Sequence, residues 1–260
     1  MSQKKTITVG RSLDILEIFA TKQTPLTIKE ICHYNRIPES TVYRYIKTLT
    51  QRDYVEYDPT TQKYRLGMNL IRLGYIAIRQ LEIHHSSYPI MENLARKTEE
   101  TVTLTVRKED YAIVVEVVDS GRGGMKLALN CGDRLPLYLC AITRPLMAFL
   151  PKEESDSILH RNPPRLFTRD TITDRVKIKS ELQRVKTQGY SYSAHQLTNG
   201  AAGLGAPIRD FSGKVVGSLA LVGPLSNFEK SKISSLLESL LEAARECSIK
   251  MGFGVSLGDG

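Results

Sequence analysis

The sequence predicts an α+β fold in two parts, a small basic head made mostly of helices and a larger, nearly neutral domain built on an antiparallel sheet. Three observations lead there. Charge is uneven: of a net +8, residues 1–80 hold 13 Lys/Arg against 7 Asp/Glu, while residues 81–260 hold 23 against 21. Apolar residues recur at helical spacing up to Arg52, whereas from Thr101 onward the period falls to two. And 260 residues at 41% hydrophobic suffice for one large domain or two modest ones.

Residues 1–7 are polar and expected to be loose, and no apolar stretch follows Lys4 and Lys5, so no secretory signal is expected. Leu13, Ile15, Leu16 and Phe19 then form a helical stripe with Arg11 exposed at its start, broken at Thr24-Pro25-Leu26. Thr27 and Glu30 have the spacing of a capping box, and the short helix they open runs to Tyr34-Asn35. After a tight turn, Pro38 suits the first turn of a third helix. From Ile37 to Arg52, Val42, Ile46 and Leu49 point one way, into a core. Ser40, Thr41, Tyr43, Arg44 and Lys47 point the other, a face of donors suited to phosphates and base edges.

A basic helix face is often only solvated surface, so the residues after Arg52 carry the decision. Val55, Tyr57, Tyr64 and Leu66 alternate around Asp58-Pro59-Thr60-Thr61, which reads as a hairpin. Three helices with a turn between the second and third, then a hairpin, make a winged helix-turn-helix. Ser40, Thr41, Tyr43, Arg44 and Lys47 are accordingly candidate contacts to double-stranded DNA, with Arg44 able to fork onto a guanine. Arg11, Lys63 and Arg65 are candidate phosphate contacts.

Leu66, Leu70, Leu73, Ile76 and Ala77 continue at helical period as a connector over 66–81, wide enough to take a partner helix, and 88–97 extends the helical link. Domains are therefore placed at 1–66, 67–84 (linker and dimerisation) and 85–260. In the last of these, 101–106, 112–118 and 125–129 read as strands and 139–150 as a helix with small residues at its start. Residues 156–169 read as loop around Pro163-Pro164, and 173–187 as an amphipathic helix ended by Gly189. Strands follow at 190–193, 203–208 and 215–222, and a helix over 227–251 closes the pattern.

Several functions are excluded. No run of about 18 apolar residues offers a membrane span. Cys32, Cys131, Cys140 and Cys247 are scattered with no C-x-x-C pair, which argues against zinc or a disulfide framework and for a reducing, cytoplasmic setting. Five histidines without a spacing motif supply neither a metal cluster nor a nucleophile with its base, so no enzyme and no cofactor are expected.

With these residues in view the chain resembles the IclR-type bacterial transcriptional regulators from Gly10 to about Lys250. The resemblance is carried by Ile37-Pro38-Glu39-Ser40-Thr41-Val42-Tyr43-Arg44, Tyr54-Val55, Tyr64-Arg65-Leu66-Gly67 and Gly132-Asp133-Arg134-Leu135-Pro136-Leu137. Gly189-Tyr190, Gly205-Ala206-Pro207-Ile208-Arg209-Asp210 and Gly223-Pro224 complete it. It implies a cytoplasmic repressor or activator, a homodimer or dimer of dimers, with a GAF-like effector-binding domain that takes a small metabolite.

The effector site is then expected where Leu139-Cys140-Ala141 opens its helix, since a helix start suits a carboxylate. Met125, Leu127, Leu129, Leu204, Ala220 and Val222 would be apolar walls, although plain core packing accounts for any one of them alone. Where the family usually has an acidic run, this chain has Ser193-Ala194-His195-Gln196; where it usually has a cysteine or serine and two strand serines, it has Gly203, Ala220 and Val222. Ser193 and His195 are thus candidate ligand contacts, though a lone histidine is more often a loop residue. An apolar, roomy pocket with one cationic end predicts an aromatic or similarly apolar carboxylate. A small oxoacid such as glyoxylate or pyruvate, or an architectural DNA-binding protein with no effector, remains open at this point.

Overall fold

The computed structural model describes residues 2–119 and 129–254. They fall into two compact units, one through Gln80 and one from Leu81.

In the first unit α1 (Ser2–Lys22), α2 (Ile28–Asn35) and α3 (Glu39–Gln51) precede the strands β1 (Val55–Asp58) and β2 (Lys63–Leu66), and α4 (Met68–Arg79) ends it. The capping box forms as the spacing requires. Glu30 N–H donates to Thr27 Oγ1 at 3.3 Å and Thr27 N–H donates to Glu30 Oε2 at 2.7 Å. Pro38 stands one residue before α3, at its N-cap. Ile15, Phe19, Leu26, Ile31, Val42, Tyr45, Ile46, Leu49 and Val55 make the core. In the hairpin Val55 pairs with Leu66 and Tyr57 with Tyr64, while Asp58 accepts the Thr60 N–H at 2.9 Å and closes the turn.

Two expectations fail here. Residues 2–7 are not loose but extend α1; once a helix is nucleated, residues without Pro or Gly lengthen it at little cost. Leu13 is 57% exposed instead of buried. It lies two residues, about 200° of helical turn, from Ile15, which claims the core.

The second unit contains α5 (Glu82–Thr98), β3 (Thr101–Lys108), β4 (Tyr111–Val118), β5 (Arg134–Pro136), α6 (Arg144–Ala148), α7 (Lys152–Arg161) and α8 (Arg175–Gln188). Then come β6 (Ser191–Ala194), β7 (Ala201–Arg209), β8 (Val215–Pro224), a 3-10 turn at Leu225–Phe228 and α9 (Lys230–Lys250). Among the described residues the strands form one antiparallel sheet in the order β5-β4-β3-β8-β7-β6. Its two faces follow from the period of two along β8. Gly217 faces α5, where a Cβ would lie 2.4 Å from Ile83 Cδ1. Ala220 and Val222 face the other way, into a core with Leu137, Leu139, Ile142, Met147, Ile178 and Val185.

Two more expectations are corrected, and a third lies largely outside the described residues. The helix placed at 139–150 is only Arg144–Ala148, and residues 137–143 are turns. Pro145 cannot donate an N–H to Ala141 and is tolerated only at a helix start. The Ala141 carbonyl is in any case taken by Ser191 Oγ at 2.6 Å. The loop placed at 156–169 begins later, because α7 runs to Arg161 with Glu153 and Glu154 in its first turn and Ile158 and Leu159 buried. Of the strand expected at 125–129, Met125 and Leu127 lie outside the described residues, and Leu129 is buried but belongs to no strand.

Candidate functional site

On α3 the period of 3.6 puts Val42, Tyr45, Ile46 and Leu49 in the core. Ser40, Tyr43, Arg44 and Lys47 are exposed, Tyr43 by 58%, and Thr41 is half-buried. Arg11, exposed on α1, and Arg44 both neighbour the buried Tyr45 phenol. Burial pushes the Tyr45 hydroxyl up, but Thr8, Arg44 and Arg11 beside it outweigh that and hold it below the usual tyrosine range. Nothing in the sequence singles out Tyr45, which is assigned to neither the Val42, Ile46, Leu49 stripe nor the donor face of this helix. In the hairpin Lys63 is half-buried, and Arg65 is exposed and paired with Glu56 at 3.0 Å.

A second feature is a cavity in the C-terminal unit, on the Val222 face of the sheet. Its described lining joins Leu129, Cys140, Ala141, Ser193, Gly203 and Val222 with Ile142, Gln196, Leu197, Thr198, Ala201 and Ala202. Six predicted residues thus come together, drawn from segments more than 90 positions apart. Leu139, His195, Leu204 and Ala220 do not line it. Leu204 pairs with Leu221, on the sheet face turned away from the Gly203–Val222 pair. Leu139 and Ala220 are fully buried core. His195 sits in the left-handed region at φ 62, and its Nδ1 accepts the Gly200 N–H at 3.0 Å, so the ring closes the 195–200 turn.

The cavity is small, about 20 Å³, room for roughly one water. Glycine at 203 does not widen it: a Cβ there would lie 2.9 Å from the Leu221 carbonyl oxygen, so the backbones fill that space. Nor does it hold a free helix start. The Ala141 N–H is accepted by Ser193 Oγ at 2.8 Å and the Cys140 N–H by Thr143 Oγ1 at 3.3 Å. Burial pushes the Cys140 thiol up, which keeps it protonated and a poor nucleophile. All four cysteines are free.

Beside the cavity lies a cation that the periodicity concealed. Arg144 is 0% exposed. Its Nε donates to the Tyr138 carbonyl at 3.1 Å, and its Nη2 to the Leu139 carbonyl at 3.2 Å and to Gln196 Oε1 at 2.5 Å. Among the described residues no group of His, Cys, Asp and Glu could hold a metal, and no helix is long and apolar enough to cross a membrane.

A winged helix-turn-helix followed by an antiparallel α+β domain with its own small cavity is the make-up of a bacterial transcriptional regulator. Residues 8–59 match the IclR helix-turn-helix domain and residues 75–249 match the bacterial transcriptional regulator IclR C-terminal domain. The chain belongs to the IclR family of DNA-binding transcriptional regulators, which are not enzymes. It is 30% identical to the HTH-type transcriptional regulator KipR of Bacillus subtilis, over 96% of this chain and 99% of the relative. Its fold matches an IclR transcriptional regulator from Alicyclobacillus acidocaldarius with a TM-score of 0.83 at 25% identity, covering 94% and 98% of the two chains. An IclR homolog from Microbacterium hydrocarbonoxydans, solved in complex with 4-hydroxybenzoate, matches with a TM-score of 0.79 at 25% identity, over 94% and 98%.

Proposed function

We propose that the protein is an operator-binding regulator whose DNA affinity is set by an aromatic or similarly apolar carboxylate held in the cavity at Ser193, Gly203 and Val222. The observation that carries this reading is the lining, mostly aliphatic with the polar Ser193, Gln196 and Thr198 among it, the make-up of a site for an apolar body with a polar group. The 4-hydroxybenzoate bound by the Microbacterium homolog supports it. Entry of a ring requires the lining to open, since the cavity has room for little more than a water.

One observation favours a second reading, a two- or three-carbon oxoacid: that same small volume. Calorimetry on the full chain separates them. Benzoate and 4-hydroxybenzoate bind while pyruvate and glyoxylate do not, or the preference is reversed and the aromatic reading fails.

On the DNA side, Ser40, Thr41, Tyr43, Arg44 and Lys47 enter the major groove, and Arg11, Lys63 and Arg65 meet phosphates. Residues 1–66 serve as the DNA-binding domain, 67–84 as linker and 85–260 as the effector domain. No residue of α4 is buried within the single chain, which supports pairing of this helix with a second copy in a symmetric dimer on a pseudo-palindromic site. Such a regulator works in the cytoplasm, where its operator lies.

A further inference from the structure

A guanidinium taken out of water is normally matched by a carboxylate or phosphate in charge-assisted, often bidentate hydrogen bonds. Arg144 is not matched in that way. Three of its contacts are neutral oxygens, the carbonyls of Tyr138 and Leu139 and the amide of Gln196. Among the described residues its buried Nη1 has no hydrogen-bond partner. The carboxylate paired with it, that of Glu181, stands 3.6 Å away and is shared with Arg184 at 2.5 Å. Glu181 is shared with the half-exposed Arg184, so the buried Arg144 guanidinium has no carboxylate to itself. Burial also pushes the Arg144 pKa down, with Glu181 opposing it and Arg184 adding to it.

The shortest of the Arg144 contacts is the one to Gln196, and Gln196 is also a wall of the cavity. The side chain that separates the under-matched cation from the cavity is thus a neutral acceptor, placed where a carboxylate oxygen would bind more strongly.

We propose that Arg144 is the anion-binding residue of this cavity and that a ligand carboxylate replaces the Gln196 amide on Nη2, releasing Gln196 and the segment that carries it. This rests on the reading of the effector as a carboxylate and adds the residue that takes its charge. One acceptor position, that of Gln196 Oε1 on Nη2, is open to replacement, so the ligand class is a monocarboxylate. Departure of the Gln196 side chain opens the cavity toward Arg144 and makes room for a body larger than the single water for which the site now has space.

The test uses the full chain with benzoate, 4-hydroxybenzoate and pyruvate as probes and benzamide as the neutral control. Binding is followed by calorimetry and stability by thermal melting, for the wild type, Gln196→Ala and Gln196→Glu. Gln196→Ala removes the competing acceptor, so whichever carboxylate binds the wild type binds this variant at least fivefold more tightly. Gln196→Glu carries its own carboxylate to Arg144, so it melts above the wild type and binds the same ligand at least twentyfold more weakly. Benzamide binds none of the three. Carboxylate binding to Gln196→Glu as tight as to the wild type would overturn the role of Arg144 while leaving the carboxylate reading standing. A Gln196→Glu protein that melts below the wild type overturns it too, because the cation then gains nothing from a charge. If no carboxylate binds either the wild type or Gln196→Ala, the carboxylate reading fails and the proposal falls with it.

Discussion

The Ser193 hydroxyl accepts the Ala141 N–H at 2.8 Å across 52 positions of sequence. With Ser191 Oγ donating to the Ala141 carbonyl at 2.6 Å, it clamps the 137–143 turn onto the sheet edge at β6. Ser193→Ala leaves a buried N–H unpaired, an expected loss of about 1–3 kcal/mol. Urea unfolding should show that loss with an unchanged slope. Gly205→Ala should be worse, since its Cβ would lie 2.1 Å from the Ala141 carbonyl oxygen, and stability equal to wild type would mean that the turn is not seated there.

The capping box gives α2 a pH response. Glu30 is held below the usual carboxylate range, first by the Thr27 backbone N–H and then by its hydroxyl. A depressed folded-state pKa contributes stability that is present above the unfolded value, about 4.3, and is lost as pH falls through the folded value. The protection factors of the α2 amides, exchange rates corrected for their intrinsic pH dependence, should therefore fall as pH drops below about 4.3 in the wild type and less so in Glu30→Gln. Identical profiles would count against the linkage. Thr27→Ala should loosen the same helix by about 1 kcal/mol at neutral pH.

Arg44 and Arg65 should separate base reading from phosphate contact. Arg44→Ala is expected to cost about 1–3 kcal/mol on a specific operator and much less on random DNA. Arg65→Ala should weaken both alike, with a salt slope about one unit lower, or by less because Glu56 already engages Arg65. Equal losses of specific and random binding for Arg44→Ala, at matched salt, would remove it from the base-reading set.

The exposed stripe on α4 predicts assembly. Leu70→Glu with Leu73→Glu should give monomers by light scattering and weak operator binding, with the melting temperature of the C-terminal unit unchanged. A wild-type protein that is itself monomeric at operator-binding concentrations would refute the dimer.

Much of the head was legible in the residues. A helix stripe, a capping box and a hairpin turn depend on neighbours within a few positions, so Val42, Ile46, Leu49, Thr27, Glu30 and the Tyr57–Tyr64 pair fall where their spacing puts them. The C-terminal unit was legible in part. Strand period showed β3, β4, β7 and β8, but the same apolar run that marks a buried helix also spelled the 137–143 turn, and Leu204 could not be told from Gly203 as a cavity wall without the register to Leu221.

By itself, then, the sequence determined a basic winged helix-turn-helix joined to an α+β domain, because period and turn chemistry act over short range. Tertiary structure alone decided how polar groups are met once water is gone. Arg144 is buried among carbonyls, Ala141 is held by Ser191 and Ser193, and Tyr45 draws Arg11 and Arg44 together. The Tyr138 and Leu139 carbonyls are near in sequence but are turned onto Arg144 by the 137–143 turn. Ser191, Ser193 and Arg11 lie tens of residues from their partners, so only the folded chain brings these groups together.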